Sequence, residues 1–149
     1  MNRDDSLTLD NQLCFALYAC SREMTKLYRP FLDELELTYT QYVALLALWE
    51  QDDVTVKQLG SRLYLDSGTL TPLLKKMEQA QLIVRARDAA DERNVRIRLT
   101  ERGGTLKQKV CDAQQKAFSR ANIPAEETKE LRDRLTRLLQ QIHQTTTEE

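Results

Sequence analysis

The sequence predicts a mainly α-helical fold carrying a small β-hairpin, and three observations in residues 55–104 predict it. Thr55 followed by Gln58 makes a capping box ahead of Leu59 and Leu63, so a short helix begins there. Asp66 stands where it can cap a second helix, with Leu70, Leu73, Leu74 and Met77 on one side and Gly68, Thr69, Thr71, Pro72, Lys75, Lys76 and Gln79 around the other. The period then changes to two. Val95, Ile97 and Leu99 alternate with Asn94, Arg96 and Arg98, and upstream Leu82, Val84 and Ala86 alternate with Ile83, Arg85 and Arg87. Two short helices joined by a tight turn at Tyr64 and Leu65 make a helix-turn-helix. The strands make a ribbon with one basic face, and the small, polar residues 88–93 between them make its projecting tip, a wing.

The other elements follow from the same rules, in chain order. Leu13, Leu17, Cys20, Met24 and Leu27 recur at helical spacing, which predicts one long helix over about residues 8–29 that bends or ends at Pro30. Thr38 and Gln41 form another capping box. It opens a strongly apolar helix through Tyr42, Val43, Leu45, Leu46, Leu48 and Trp49, which belongs near the centre, and the acidic residues 50–53 end it. After the wing, Thr100 can cap a helix that carries Leu106, Val110, Ala113, Ala117 and Ala121 until residues 122–124 interrupt it. Leu131, Leu135, Leu138, Leu139 and Ile142 form the stripe of a last helix, and the polar tail from Thr145 is expected to fray.

The predicted organisation is therefore a single domain over 1–149. A winged helix-turn-helix occupies about 38–100, flanked by N- and C-terminal dimerisation helices at about 8–35 and 100–146. The terminal helices have apolar stripes with no large sheet or second domain to cover them, so they are expected to cover each other across a two-fold. Such a homodimer sets two recognition helices in successive major grooves of double-stranded DNA, and its operator should be pseudo-palindromic.

Composition narrows the function. A chain of 149 residues, 41% hydrophobic and 30% charged, buries one core of ordinary size. No stretch approaches the ~20 apolar residues of a membrane span. The opening MNRDDSLTLDNQ lacks the basic start and apolar run of a secretory leader, so the expected address is cytoplasmic, away from any membrane. Three cysteines without CxxC spacing fit free thiols in a reducing compartment, and with the single His143 they predict no metal. No glycine-rich phosphate loop suggests a cofactor. The net charge of −1 argues against nucleic acid until its distribution is considered. Residues 55–104 hold ten basic and six acidic side chains, a net +4, which leaves −5 on the rest. A basic module in an acidic frame concentrates its attraction for phosphate on one surface.

On that surface Ser67, Thr69, Thr71 and Lys76 are placed to meet base edges and flanking phosphates. Lys75 reads as a phosphate contact, and Gly68 lets the helix approach closely. Arg93 at the wing tip suits a narrow minor groove, where negative potential is focused. Asp91 either positions it or forms a plain surface ion pair.

These residues also carry a family resemblance. Asp91, Glu92 and Arg93, followed by Val95, Ile97, Leu99, Thr100 and Gly103, resemble the D-x-R wing signature of MarR-type winged-helix transcription regulators, and residues 66–78, DSGTLTPLLKKME, look like that family too. Those regulators pair through their terminal helices. Residues 9–18, LDNQLCFALY, together with 38–42 and 65–79, resemble the organic-hydroperoxide-sensing OhrR branch, most clearly over 10–99. The resemblance implies that Cys14 is the oxidised cysteine and that Tyr28 and Tyr39 donate hydrogen bonds to it. Such donors stabilise a thiolate, which is the nucleophilic form. Fourteen residues of one helix separate Cys14 from Tyr28 by roughly 21 Å, so they can meet only across a dimer interface. Leu13, Phe15, Leu17, Tyr42 and Leu46 are expected to line an apolar entry favouring alkyl or lipid hydroperoxides. Cys20 is expected in core packing. Cys111 is a possible second thiol, since some regulators of this kind use a partner-subunit cysteine to form an intersubunit disulfide.

The expected function is a dimeric DNA-binding repressor released from its operator by organic-hydroperoxide oxidation of Cys14. One alternative is a MarR-type repressor that answers a small apolar or phenolic effector with Cys14 inert. Another, from a different class, is a thiol-dependent peroxidase. Turnover needs groups that protonate the leaving alkoxide, and His143 near the tail is the only histidine, so the chain is expected not to be an enzyme.

Overall fold

A computed structural model describes residues 4–148. Residues 1–3 of the opening stretch and Glu149 of the polar tail lie outside the described residues. Two short 3-10 turns lead into α1 (Leu13–Glu34), followed by α2 (Tyr39–Glu50), β1 (Val54–Thr55), α3 (Val56–Leu63), α4 (Ser67–Gln79), β2 (Ile83–Arg87), β3 (Val95–Leu99), α5 (Glu101–Ala121) and α6 (Ala125–Thr147). The strands form one antiparallel sheet in the order β1-β3-β2. This is the mainly helical fold with a small β-wing that the sequence predicts, and the strand β1 is an addition to it.

The helix starts obey their capping residues. Thr38 with Gln41 and Thr55 with Gln58 form complete capping boxes at α2 and α3. Asp66 accepts the Thr69 amide at 2.8 Å, and Thr100 accepts the Gly103 amide at 3.1 Å, so α4 and α5 begin where their caps direct. The first helix departs from expectation at both ends. It begins at Leu13, after the 3-10 turns, and runs through Pro30 to Glu34. Pro30 costs the carbonyl of Lys26 its helical donor, but both residues face solvent, where water can replace the missing bond. The expected fraying from Thr145 is likewise not seen, as α6 continues to Thr147 with the Thr145 hydroxyl donating to the Gln141 carbonyl.

The core is built around α2, whose Ala44, Leu45 and Leu48 are fully covered. Leu59 from α3, Leu70, Leu74 and Met77 from α4, Leu82 and Ile83 at the start of the hairpin, Ile97 from β3 and Val110 and Ala117 from α5 close on it. Each such large side chain contributes about 1.5–3 kcal/mol by leaving water. The first turn of α5 lies hard against the hairpin, where a Cβ on Gly103 would come 2.2 Å from the Leu82 carbonyl oxygen. Trp49 Nε1 donates to the Gly103 carbonyl at 2.9 Å, which locks α2, the hairpin and α5 together.

The hairpin corrects one reading of the sequence. Register pairs Ile83 with Leu99, Arg85 with Ile97 and Arg87 with Val95, so these residues share the inward face. Val84 and Ala86 pair with Arg98 and Arg96 on the outer face, and Val84 is exposed. The four arginines are therefore split between two faces and do not form one basic face. Leu82 is buried, but it precedes the strand in a turn that opens with a left-handed Gln81, so its burial does not set the phase of β2. The well-marked alternation of β3 sets it through the pairing.

The terminal segments behave differently from the core. No residue of α6 is buried, Leu131 and Ile142 keep 56% and 50% of their surface, and Leu13 at the start of α1 keeps 60%. In α1 only Tyr28 and Leu32 are buried, in the half that packs on α5 and α2. Cys20 is consequently exposed and does not pack in the core as expected, because the first half of α1 meets little of its own chain.

Candidate functional site

Two sets of residues bear on function, a polar one on the surface and an aromatic one at the edge of the core. The polar set begins where α3 ends at Tyr64, whose left-handed backbone (φ 57°) turns the chain sharply so that α4 can cross α3. Gly60 permits that crossing, since a Cβ there would stand 2.9 Å from the Leu65 carbonyl oxygen. Along α4, Leu70, Leu74 and Met77 are buried, which turns Ser67, Gly68, Thr69, Thr71, Lys75 and Lys76 outward together. Asp66 at the head of this row is held well below the usual carboxylate range by the Thr69 amide, so the cap is charged at neutral pH.

The wing adds a second projection. Its loop closes where the Asp88 amide donates to the Asn94 carbonyl at 2.8 Å and the Asn94 amide to the Asp91 carbonyl at 3.0 Å. Arg93 at the tip leaves 89% of its side chain in solvent. Both carboxylate oxygens of Asp91 accept from it, from Nε and Nη2 at 3.0 Å each, which depresses the Asp91 carboxyl and fixes the direction of the guanidinium.

Ion pairing reshapes the charge balance of this surface. Arg62 is tied to Glu50, Arg85 to Glu78, Arg96 and Arg98 to Asp53, and Arg102 to Glu36. Of the lysines in residues 55–104, none among Lys57, Lys75 and Lys76 is held in an ion pair among the described residues. The lysine charge left for an outside anion thus stands on the two short helices, while on the ribbon Arg87 bonds the neutral Glu92 carbonyl and is in no ion pair among the described residues. A cleft of about 670 Å³ opens between α3, α4 and the wing, with Lys57, Tyr64, Thr71, Arg85 and Arg93 on its walls and His143 of α6 at its rim.

The aromatic set lies at the junction of α1, α2 and α5. Tyr28 stacks on Tyr42 with ring centroids 5.5 Å apart, and meets Tyr39 edge-on at 5.9 Å and Phe118 edge-on at 6.2 Å. Burial raises the hydroxyls of Tyr28, Tyr39 and Tyr42 above their ordinary value of 10.0, so all three remain protonated donors at neutral pH. The Tyr28 hydroxyl also interacts with Tyr42 and Gln114. The sequence placed Tyr28 and Tyr39 together by resemblance only. Tyr42 was legible as their companion, being one helical turn from Tyr39, whereas Phe118 and Gln114 arrive from α5 without a local signal.

The thiols are placed elsewhere. Cys14, Cys20 and Cys111 are free and exposed, and Cys14 stands in the first turn of α1 at the opposite end from Tyr28. Within one chain, therefore, the structure brings Tyr28 to Tyr39 but brings neither to Cys14. Phe15 and Leu46, two of the residues expected to form an apolar entry, are exposed, whereas Tyr42 is buried in the ring cluster.

Comparison with known proteins points the same way as these surfaces. The family model described as transcriptional regulator SarA/Rot matches residues 26–110. The organic hydroperoxide resistance transcriptional regulator of Bacillus subtilis is 53% identical over 143 residues, which cover 96% of this chain and 97% of that protein. The regulator SarZ of Staphylococcus epidermidis is 46% identical over 83% of each chain. Among solved structures, reduced AbfR bound to DNA superposes with a TM-score of 0.78 at 35% identity, covering 94% of this chain and 97% of that one.

Proposed function

The chain belongs to the MarR family of winged-helix transcription regulators, in its organic-hydroperoxide-sensing branch, and from that footing we propose a homodimeric repressor that oxidation of Cys14 by an organic hydroperoxide releases from its operator. It is a DNA-binding transcription regulator of the redox-sensing kind, as its relatives are. The single observation that carries the DNA reading is the outward row of α4, whose two lysines are in no ion pair among the described residues, flanked by the solvent-exposed guanidinium of Arg93 that Asp91 orients. In this reading Ser67, Thr69, Thr71 and Lys76 meet base edges and flanking phosphates, Gly68 lets the helix approach closely, Lys75 neutralises phosphate, and Arg93, aimed by Asp91, enters the minor groove.

The sensing half rests on the separation of Cys14 from the tyrosines. The exposed apolar side chains of α6 and early α1 support a dimer in which Cys14 of one protomer reaches Tyr28 and Tyr39 of its partner. The thiolate attacks one peroxide oxygen, the O–O bond breaks, and the alkoxide leaves as an alcohol after taking a proton. Sulfur is left as the sulfenic acid. Cys111 is available on α5 as a second thiol for an intersubunit disulfide. The regulator reads DNA in the cytoplasm in this account, and no described helix is long and apolar enough to cross a membrane.

The cleft between α3, α4 and the wing favours a second reading, in which a small phenolic or apolar effector releases the DNA and Cys14 is inert. The experiment that separates them is a gel shift of the purified protein on the DNA upstream of its own gene, with and without an organic hydroperoxide. Release by peroxide at one equivalent per reactive thiol supports the sensor. Retention of the complex contradicts it, and steady peroxide consumption with a reductant would point instead to a peroxidase.

A further inference from the structure

We propose that Asp53 is a positioning residue for the wing, acting through Arg96 and Asp88 to set where Arg93 stands relative to α4. The inference rests on the DNA reading above and goes beyond it. Asp53 occupies the corner between α2 and β1 in a left-handed conformation, φ 54°. Its Oδ1 accepts from Arg96 Nε at 2.9 Å and Arg98 Nε at 3.0 Å, and its backbone carbonyl accepts from Arg96 Nη2. The neighbouring Asp52 accepts the Leu99 amide at 2.9 Å. Arg96 then reaches Asp88 at 3.4 Å, and Asp88 closes the wing loop by bonding Asn94 and Ala90.

A continuous series of contacts thus runs from the corner after α2 to the base of the loop that carries Arg93. The backbone alone gives little such support. β1 pairs with β3 only at Val54 with Ile97 and Thr55 with Arg96, and β2 has no strand on its other side. The acidic run 50–53, which the sequence suggested only as a helix end, therefore holds both parts of the reading head: Glu50 grips Arg62 of α3, while Asp52 and Asp53 grip β3. Charge makes the role testable by sign. An acid among arginines weakens attraction for phosphate, so removing it should strengthen DNA binding unless its effect is to place the wing.

The test uses the full-length protein with Asp53→Asn, which keeps the size of the side chain and the tolerance for a left-handed backbone. Binding is measured on the operator duplex and on a scrambled duplex. Operator affinity should fall at least fivefold, scrambled-duplex affinity should stay level or rise, and amide exchange over residues 88–94 should accelerate. Arg96→Gln should cost a similar factor, and the double variant no more than the larger single loss. Should Asp53→Asn fail to fold, Asp88→Asn supplies the same cycle from the base of the wing loop. Undiminished operator affinity, or additive losses, overturns the proposal. A wild-type protein that binds both duplexes equally overturns the DNA reading itself and this inference with it.

Discussion

Cys14 and Tyr28 stand on one unbroken helix, the first exposed at its free end and the second buried, fourteen residues and roughly 21 Å of helical rise apart. A rigid rod between them means that any meeting of thiol and phenol takes place between two protomers. Chemistry at the sulfur would then act directly on how the protomers sit, and hence on the spacing of two α4 helices along DNA.

The tyrosines should tune the rate of sensing. Tyr28→Phe and Tyr39→Phe each remove one hydroxyl from the cluster, and a hydrogen bond to a charged group is worth roughly 1.5–3 kcal/mol. Each variant should bind operator as the wild type does and be oxidised more slowly without losing the response. Stopped-flow loss of DNA binding after peroxide addition checks this, and unchanged rates in both would remove the tyrosines from the sensor.

On the DNA face, Arg93→Ala should weaken operator binding between roughly 5- and 150-fold, as expected for a groove-reading arginine. Lys75→Ala should mainly lower the slope of log affinity against log salt by about one unit. Titrations at several salt concentrations separate the two behaviours. Equal affinity for both variants and the wild type would end the DNA reading.

Assembly is predicted by the uncovered stripes. The protein should scatter light as a dimer at micromolar concentration, and Leu139→Glu with Ile142→Glu should shift it to monomer while the helical signal of the core remains. A monomeric wild type would remove the shared sensor.

Alkaline stability follows from the ring cluster. Because burial raises the folded-state values of Tyr28, Tyr39 and Tyr42 above 10.0, the stability they contribute is fully present below that pH and is lost as pH rises through the raised values. Thermal melting followed upward from pH 10.0 should show the loss, and Tyr42→Phe should reduce its steepness. An identical slope in that variant would contradict the assignment of burial as the cause.

The sequence displays what local rules control. Thr38, Thr55, Asp66 and Thr100 each cap a helix as their neighbours foretell, and the apolar positions of α2 and α4 mark the core directly. What it conceals depends on long-range pairing. The phase of β2 is hidden from local pattern because Leu82 is buried by a turn instead of by the ladder, and β1 is too short to leave a period. The partners of Arg96 and Arg98 lie more than forty residues upstream at Asp53, so the ribbon looked more basic than it is. Cys20 sat in a helical stripe that a single chain leaves bare, and periodicity cannot say which molecule covers a stripe.

The most direct test of the account is the response of Cys14→Ser to an organic hydroperoxide on operator DNA. Serine keeps a hydroxyl of similar size but is not ionised near neutral pH and cannot climb the sulfur oxidation ladder. The variant should therefore bind operator like the wild type and stay bound when peroxide is added, whereas Cys20→Ser should be released normally. On a non-reducing gel, a peroxide-induced dimer band that Cys111→Ser loses would mark an intersubunit disulfide through Cys111, and oxidised wild type without such a band would mark a small-thiol adduct. Release of Cys14→Ser from DNA by peroxide as readily as the wild type would contradict the sensor and leave the effector-binding reading in its place.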